Sequence, residues 1–153
     1  MITVLVPLAL LCSGLAAGGL VISALGGAPL LLALSTENYV PVHQFLVRRF
    51  DPFMPLCLCG ALVVDVVLAV VTPSLTASIL FGSAVAVYLA TVAVSLLRNV
   101  PINKWVYSLD PHNLPEDWER LDPRVRWRNW NLVRTSLAAT GLLLNATAVG
   151  FLL

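Results

Sequence analysis

Charged side chains are confined to a few stretches of this sequence, and this segregation limits the available folds more than any other feature. Residues 1 to 36 contain no Asp, Glu, Lys or Arg, residues 52 to 97 contain Asp65 alone, and residues 135 to 153 contain none. A helix of roughly 20 apolar residues crosses the hydrocarbon core of a bilayer. Charged residues make up 11% of the chain, against roughly 25% in soluble domains. The sequence therefore predicts an all-α integral membrane protein.

Proline marks the starts of three predicted helices. Asp51-Pro52, Thr72-Pro73 and Asp122-Pro123 each place a hydrogen-bond acceptor before a proline, which suits the first position of a helix. We therefore expect a single transmembrane domain over residues 1–153, a four-helix bundle with spans at about 3–34, 52–71, 74–97 and 129–153. The first span is too long for a straight crossing, and the GGAP sequence at 26–29 predicts a break within it.

The polar loops at 35–51 and 98–128 are expected on one face of the membrane, because four spans place both termini on the other. Eight of the nine Lys and Arg residues lie in these two loops. Positively charged loops stay in the cytoplasm as a rule. The sequence therefore predicts a multi-pass protein with cytoplasmic loops and extracytoplasmic termini.

Composition also bears on the partners. With a net charge of +1, the chain has no basic surface of the kind that binds nucleic acid, and its long apolar runs make the lipid bilayer the expected partner. Gly14-xxx-Gly18 matches a helix-association pattern, which allows a homo-oligomer as well as a tightly packed single bundle.

Cysteine and histidine indicate neither a disulfide framework nor a metal site. The three cysteines all lie in apolar runs, where cysteine acts as a small hydrophobic residue. The two histidines do not fall at metal-ligand spacing, and no cysteine or carboxylate completes a recognisable ligand set with them. No metal site is predicted.

Two asparagines stand where the third apolar run ends. Asn99 and Asn103 are four residues apart, so a continuous helix places both on one face. Pro101 lies between them and is expected to bend or end the span. In one interpretation Asn99 caps a helix end and Asn103 faces lipid headgroups; in the other, both amides belong to a buried site.

A second polar cluster leads into the fourth span. Arg124, Trp127, Asn131 and Arg134 follow one another at spacings of three, four and three residues, which places them on one helical stripe with Trp130 beside it. Arg and Trp on such a stripe can anchor a helix at the headgroups. An anchor does not need its polar residues in register, however, and a cation at the depth of Arg134 costs a few kcal/mol unless it finds partners. The register therefore favours an inward-facing site that also includes Asn99 and Asn103.

The first loop supplies a candidate base. The stretch ENYVPVHQ carries His43 to the same face of the membrane as the two polar clusters. Histidine has an unperturbed pKa of about 6.5, close to neutral pH. A lone histidine is more often a structural residue, and both interpretations stay open.

Asp65 is the one charged residue deep within a span. Asn145 of the fourth span comes to a similar depth when residues are counted from the ends of the helices. An intramembrane carboxylate is a functional candidate by default. We favour the alternative, a structural hydrogen bond between a protonated Asp65 and Asn145.

These motifs resemble the anthrone oxygenase-like family of small four-span membrane proteins. The residues that carry the resemblance follow the third span and enter the fourth: Asn99-x-Pro101-x-Asn103 and Trp127-x3-Asn131-x2-Arg134. Fungal members of this family are associated with oxidation of anthrones to anthraquinones in aromatic polyketide biosynthesis. The resemblance implies a monooxygenase that acts on a lipophilic, anthrone-type aromatic at the cytoplasmic end of the bundle. It leaves the cofactor open.

The resemblance and the polar clusters together give the candidate site. The catalytic candidates are His43 as base and the donors Asn99, Asn103 and Arg134; the substrate-binding candidates are Trp127, Trp130, Asn131 and Arg124. The alternative is a non-enzymatic accessory or scaffold protein whose polar cluster is structural or docks a partner. An enzyme needs a cavity, which we expect between spans three and four near Asn103 and Asn131, whereas a scaffold would fill that space with side chains.

Overall fold

Helix accounts for nearly all of the chain in a computed structural model, which describes residues 1–152. Eight α-helices follow one another: α1 (Ile2–Ile22), α2 (Ala28–Ala33), α3 (Thr36–Phe50), α4 (Phe53–Val71), α5 (Leu75–Val94), α6 (Val100–Tyr107), α7 (Trp118–Leu121) and α8 (Arg124–Gly150). The first π segment (Ser23–Gly27) joins α1 to α2, and the second π segment (Ser95–Asn99) joins α5 to α6. The helices form four long apolar stretches: Ile2–Ala33, Thr36–Val71, Leu75–Tyr107 and Trp118–Gly150. The predicted all-α, four-span bundle is confirmed.

Small residues form the contacts between the long helices. α1 packs against α4 and α8, and α5 packs against the same two helices. Ala16, Ala61, Ala84 and Ala138, one from each long helix, are fully buried, whereas large apolar side chains such as Val70 and Leu143 point outward. Lipid tails are as apolar as leucine, so membrane helices gain little by burying large side chains and associate through close backbone contact instead. This distribution is the one a bilayer favours.

Each π segment lies just before a proline, in the same register. The first segment ends two residues before Pro29 and the second ends two residues before Pro101. A proline in a helix lacks the amide hydrogen and crowds the carbonyl four residues earlier. One wide turn before each proline absorbs this conflict: the N–H groups of Ala28 and Val100 bond to carbonyls five residues back. The break predicted at GGAP is therefore a widened turn, and the third span continues past Pro101 instead of ending there.

Of the three helix starts that were predicted from a residue before proline, two are wrong in their capping residue. Asp51 has helical backbone angles and does not cap α4, and the N-cap of α5 is Ser74, not Thr72. The side chain of Ser74 accepts the N–H of Ala77. Asp122 does accept a backbone N–H at the start of α8, from Arg124 at 3.0 Å. Helical geometry therefore continues through Asp51, whereas Thr72 is extended and α5 begins two residues later than expected.

The long helical stretches exceed what a bilayer needs. Each has 32 to 36 residues, or about 50 Å at 1.5 Å per residue, whereas the hydrocarbon core is about 30 Å thick. Met1 and Gly150 lie at one end of the bundle. A helix needs about 20 residues to cross the bilayer, and about 20 residues counted from that end reach Ile22 on the first stretch and Asn131 on the fourth. Beyond this level α3 packs against α6 and α2 against α8. The elements that carry the polar clusters thus meet at one end of the bundle.

Candidate functional site

A chain of four buried side chains connects α3, α6 and α8 at this end. The Nε1–H of Trp127 donates to Oδ1 of Asn103 at 2.8 Å. Nε2 of His43 lies 3.2 Å from the same oxygen, and the hydroxyl of Tyr39 lies 2.8 Å from Nδ1 of His43. All four side chains are buried. The bonds join residues up to 60 positions apart in the sequence, so they fix the relative placement of three helices.

The donor and acceptor roles in this chain follow from Trp127. An indole nitrogen only donates, so the Asn103 atom that faces it must be the oxygen. Nε2 of His43 faces that oxygen and must therefore carry the proton, which leaves Nδ1 as the acceptor of the Tyr39 hydroxyl. Both ring nitrogens of His43 are thus engaged, and neither offers a lone pair to a ligand.

The amide nitrogen of Asn103 is the unused half of this arrangement. Among the described residues no acceptor lies within hydrogen-bonding distance of its Nδ2, while two donors share its oxygen. Trp127 and His43 therefore orient Asn103 so that an amide donor remains for a ligand.

A cavity of about 260 Å³ lies next to Asn103. Its wall is mostly apolar and comes from the end of α1, the first π segment, α2, α3 and the start of α4. The polar residues in its lining are Ser23, His43, Asp51, Asn103, Trp127 and Arg134. Ligand sites typically combine an apolar wall with a few convergent polar groups, and this cavity has that composition.

The cavity does not lie where the sequence predicted it. The expected space between spans three and four, near Asn103 and Asn131, is filled with side chains, because the Trp127 indole bonds to Asn103 there and the buried Asn99 reaches the backbone carbonyl of Trp127. The space opens instead beside the first span, where Gly26 and Gly27 contribute no side chain. Asn103 is the only part of the third stretch that reaches the cavity, and Asn131 does not line it.

Arg134 brings a cation to the cavity wall. Its Nε–H donates to Oδ1 of Asn131 at 2.9 Å, and the Ser23 hydroxyl donates to the same oxygen at 3.4 Å. The guanidinium has no carboxylate within ion-pair distance in the described part of the chain. Cations at this depth normally pair or reach water. Arg134 therefore contributes a guanidinium without a direct ion-pair partner to a mostly apolar cavity, whose lining also holds the carboxylate of Asp51.

Four of the eight predicted site residues line the cavity: His43, Asn103, Trp127 and Arg134. The other four predicted residues do not line the cavity. Asn131 holds the Arg134 guanidinium, and Asn99 is fully buried and donates to the backbone carbonyl of Trp127 at 3.3 Å.

Arg124 and Trp130 have other partners. The Nε–H of Arg124 donates to Asp122 at 2.7 Å, and its Nη1 donates to the carbonyl of Leu34 at the end of α2. The guanidinium of Arg98 lies over the Trp130 ring, 4.8 Å from its centroid. These contacts join α2 and the second π segment to α8 without reaching the cavity.

The structure also brings in residues that the site prediction left out. Asp51, which was interpreted as a helix cap, lines the cavity, and so do Phe50 and Met54 around the α3–α4 junction. Gly26 and Gly27 line it on the opposite side. The two glycines beside a proline were a visible signal, but they were interpreted as a break and not as a wall without side chains.

Asp65 and Asn145 are separate from the cavity. Both are fully buried, and Nδ2 of Asn145 donates to Oδ2 of Asp65 at 3.0 Å, which is the predicted structural contact. The second oxygen of Asp65 and the amide oxygen of Asn145 have no partner in the described chain. A protonated Asp65, as the sequence predicted, carries a donor that can pair with an acceptor such as the Asn145 oxygen.

No group of three or more His, Cys, Asp or Glu side chains within residues 1–152 is arranged to hold a metal ion.

Comparison with known proteins gives a match at the level of a protein family. A family model described as Anthrone oxygenase matches residues 44–144, about two thirds of the chain and a range that includes Asn103, Trp127 and Arg134. No curated protein and no solved structure matches the chain.

Proposed function

The chain belongs to the anthrone oxygenase family, and we propose that it is a membrane-embedded monooxygenase for a flat, acidic, lipophilic aromatic of the anthrone type, which binds in the cavity beside Arg134. The observation that carries the proposal is an unpaired guanidinium in the wall of an apolar cavity. Such a cation favours a ligand that is both hydrophobic and able to carry a negative charge.

Anthrone chemistry matches these two requirements. Loss of a benzylic proton gives an anion whose charge is spread onto the ring oxygen, and this anion can pass an electron to dioxygen. Over the whole reaction the benzylic CH2 becomes a carbonyl, with one oxygen atom of O2 entering the product and the other leaving as water. The protein must therefore stabilise an oxyanion, accept protons and hold the ring in an apolar space.

Arg134 and Asn103 are the proposed oxyanion donors. The guanidinium and the unused Nδ2 amide both lie at the cavity, and both are held in place by other side chains. Fixed donors aimed at a developing charge commonly contribute 10²–10³-fold to a rate. In this proposal Asn131 positions Arg134, and Trp127 and His43 position Asn103.

Trp127 has a second proposed role, because its ring lines the cavity next to the His43 ring, with the two centroids 5.2 Å apart. A flat aromatic ligand can pack against this pair. Asn99 supports Trp127 by donating to the backbone carbonyl of Trp127. Arg124 and Trp130 hold the neighbouring helices together.

The cavity lies at the level where the hydrocarbon core ends, so we infer that the substrate enters from the bilayer. Exposed apolar residues Ile22 and Leu30 belong to its lining. By the positive-inside rule this end of the bundle is cytoplasmic, which places the reaction at the inner leaflet and both termini outside.

The test is oxygen consumption and quinone formation by the purified protein with an anthrone. Arg134→Ala and Asn103→Ala should lose at least tenfold in rate while remaining folded in detergent. Arg128→Ala is the matched control, because Arg128 lies on the same helix and bonds only to its exposed neighbour Asn129.

Wild-type rates in both cavity variants would remove the assigned site. A wild-type protein that neither binds nor oxidises the anthrone would support the alternative, a non-enzymatic membrane scaffold with a structural polar cluster.

A further inference from the structure

A second cavity of about 300 Å³ adjoins the first. The two cavities share Val47, Asp51 and Asn103 in their linings. The remaining lining of the second cavity includes Arg48, Lys104 and Tyr107, which are all exposed. The first cavity therefore adjoins a second whose lining carries charged side chains and reaches the surface at the charged end of the bundle.

Asp51 stands at the junction of these two cavities. It lies in the helical turn between α3 and α4, its side chain is exposed, and it is the sole carboxylate in the lining of either cavity. Its carboxylate has no hydrogen-bond or ion-pair partner within residues 1–152. Unlike the capping aspartate of α8, it is not used to hold the fold together.

The oxidation requires a proton acceptor at the cavity. His43 was the sequence-based candidate, but its Nε2 proton is directed to Asn103 and its Nδ1 accepts the Tyr39 hydroxyl. To accept a proton it would have to break the bond to Tyr39. Asp51 has two unoccupied oxygens and faces the same cavity.

We propose that Asp51 is the general base of the reaction and that the second cavity is the route by which its proton reaches water. This rests on the proposed function. The benzylic C–H bond breaks and an O–H bond forms on Asp51, while the electron pair stays on the substrate and shifts to the oxygen held by Arg134 and Asn103. The Asp51 proton then passes to water in the second cavity, and dioxygen takes the electrons.

The charges around Asp51 suit this cycle. Arg134 on α8 lines the first cavity, and Arg48 on α3 and Lys104 on α6 line the second. Partial burial raises the pKa of the Asp51 carboxyl, and the positive charge of Arg134 acts against this and favours the ionised form. The titratable side chains that face the same space in their neutral form are His43 and Tyr107. A carboxylate that is ionised, unpaired and in contact with water can accept a proton and release it in each turnover.

Hydrogen exchange without oxygen isolates this step. An anthrone is incubated in D2O under anaerobic conditions, and the exchange of its benzylic hydrogens is followed by NMR or mass spectrometry. The exchange should be faster with the wild-type protein than in protein-free micelles. Asp51→Asn should slow the protein-dependent exchange by 10²–10⁴-fold, the usual contribution of a general base. Asp51→Glu should retain part of it, and formate should partly restore Asp51→Ala.

Glu37→Gln is the matched control, because Glu37 is an exposed carboxylate on α3 that lines neither cavity; it should exchange at the wild-type rate. Wild-type exchange in Asp51→Asn, with unchanged binding of the anthrone, overturns the assignment of the base and leaves the proposed function standing. If the wild-type protein itself binds the anthrone no better than empty micelles do, the proposed function fails instead.

Discussion

Asn103 can be tested as the shared acceptor of His43 and Trp127 without knowledge of the substrate. Asn103→Leu leaves two buried donors without an acceptor, and each such group costs about 1–3 kcal/mol, so the free energy of unfolding should fall by about 2–6 kcal/mol. His43→Phe leaves one buried group, the Tyr39 hydroxyl, without a partner, so the free energy of unfolding should fall by about 1–3 kcal/mol. In the double variant only Trp127 and Tyr39 lack partners, because the His43 donor is gone.

The double variant should therefore lose about 1–3 kcal/mol less than the sum of the single variants, which is the cost of one unsatisfied donor. Reversible unfolding in mixed SDS micelles, followed by far-UV circular dichroism, measures all three values. His43→Phe combined with Thr140→Ala is the control, because the exposed Thr140 hydroxyl bonds only within its own helix. Additivity of His43 and Asn103 within about 0.5 kcal/mol, as for unconnected sites, would refute the shared acceptor.

Three further predictions concern the cavity wall, the outer polar pair and the α2–α8 contact. Gly26→Leu should fill the cavity and raise KM for the anthrone at least tenfold, whereas Gly82→Leu, also at an exposed glycine with open space beside it, should not; equal effects would contradict the position of the site. Asp65→Asn should keep a reciprocal pair with Asn145 and full activity, while Asp65→Ala should cost about 1–3 kcal/mol of unfolding free energy, and complete loss of activity in folded Asp65→Asn would make the carboxylate functional. Arg124→Gln should destabilise by about 1.5–3 kcal/mol, the usual value for charged hydrogen bonds, measured in the same SDS titration; no change would mean that its contacts to Asp122 and α2 are not stabilising.

Much of the fold could be predicted because a bilayer imposes simple rules. Uncharged runs long enough for a helix to cross the bilayer predict the spans, and small residues predict the contacts between helices. The widened turns before Pro29 and Pro101 could not be predicted, since a proline gives the same local signal before a kink, a helix end or a π turn. Packing of the flanking helices decides between these outcomes.

The helical stripe predicted a site, but not the place of each residue in it. Trp127 and Asn131 are buried on one face of α8, as their spacing indicates. Arg124 shares the stripe but does not line the cavity, because its guanidinium bonds to Asp122 and the carbonyl of Leu34 and lies over the Tyr39 ring. Local charge pairing of this kind depends on where α2 ends, which no spacing rule contains.

Asp51 shows a second limit of prediction. An aspartate before a proline is a common helix cap, and that interpretation concealed its position at the cavity. Only the angle between α3 and α4 determines whether its carboxylate faces its own helix or the space beside Arg134.

The most direct measurement is an experimental structure of the protein in a lipid nanodisc with an anthrone bound under anaerobic conditions. We predict density for one flat ligand in the cavity between the first π segment and α3, with its ring oxygen within hydrogen-bonding distance of Arg134 and Asn103. A ligand bound elsewhere, or a cavity that holds only a lipid tail while Arg134 turns away from it, would contradict the proposed site.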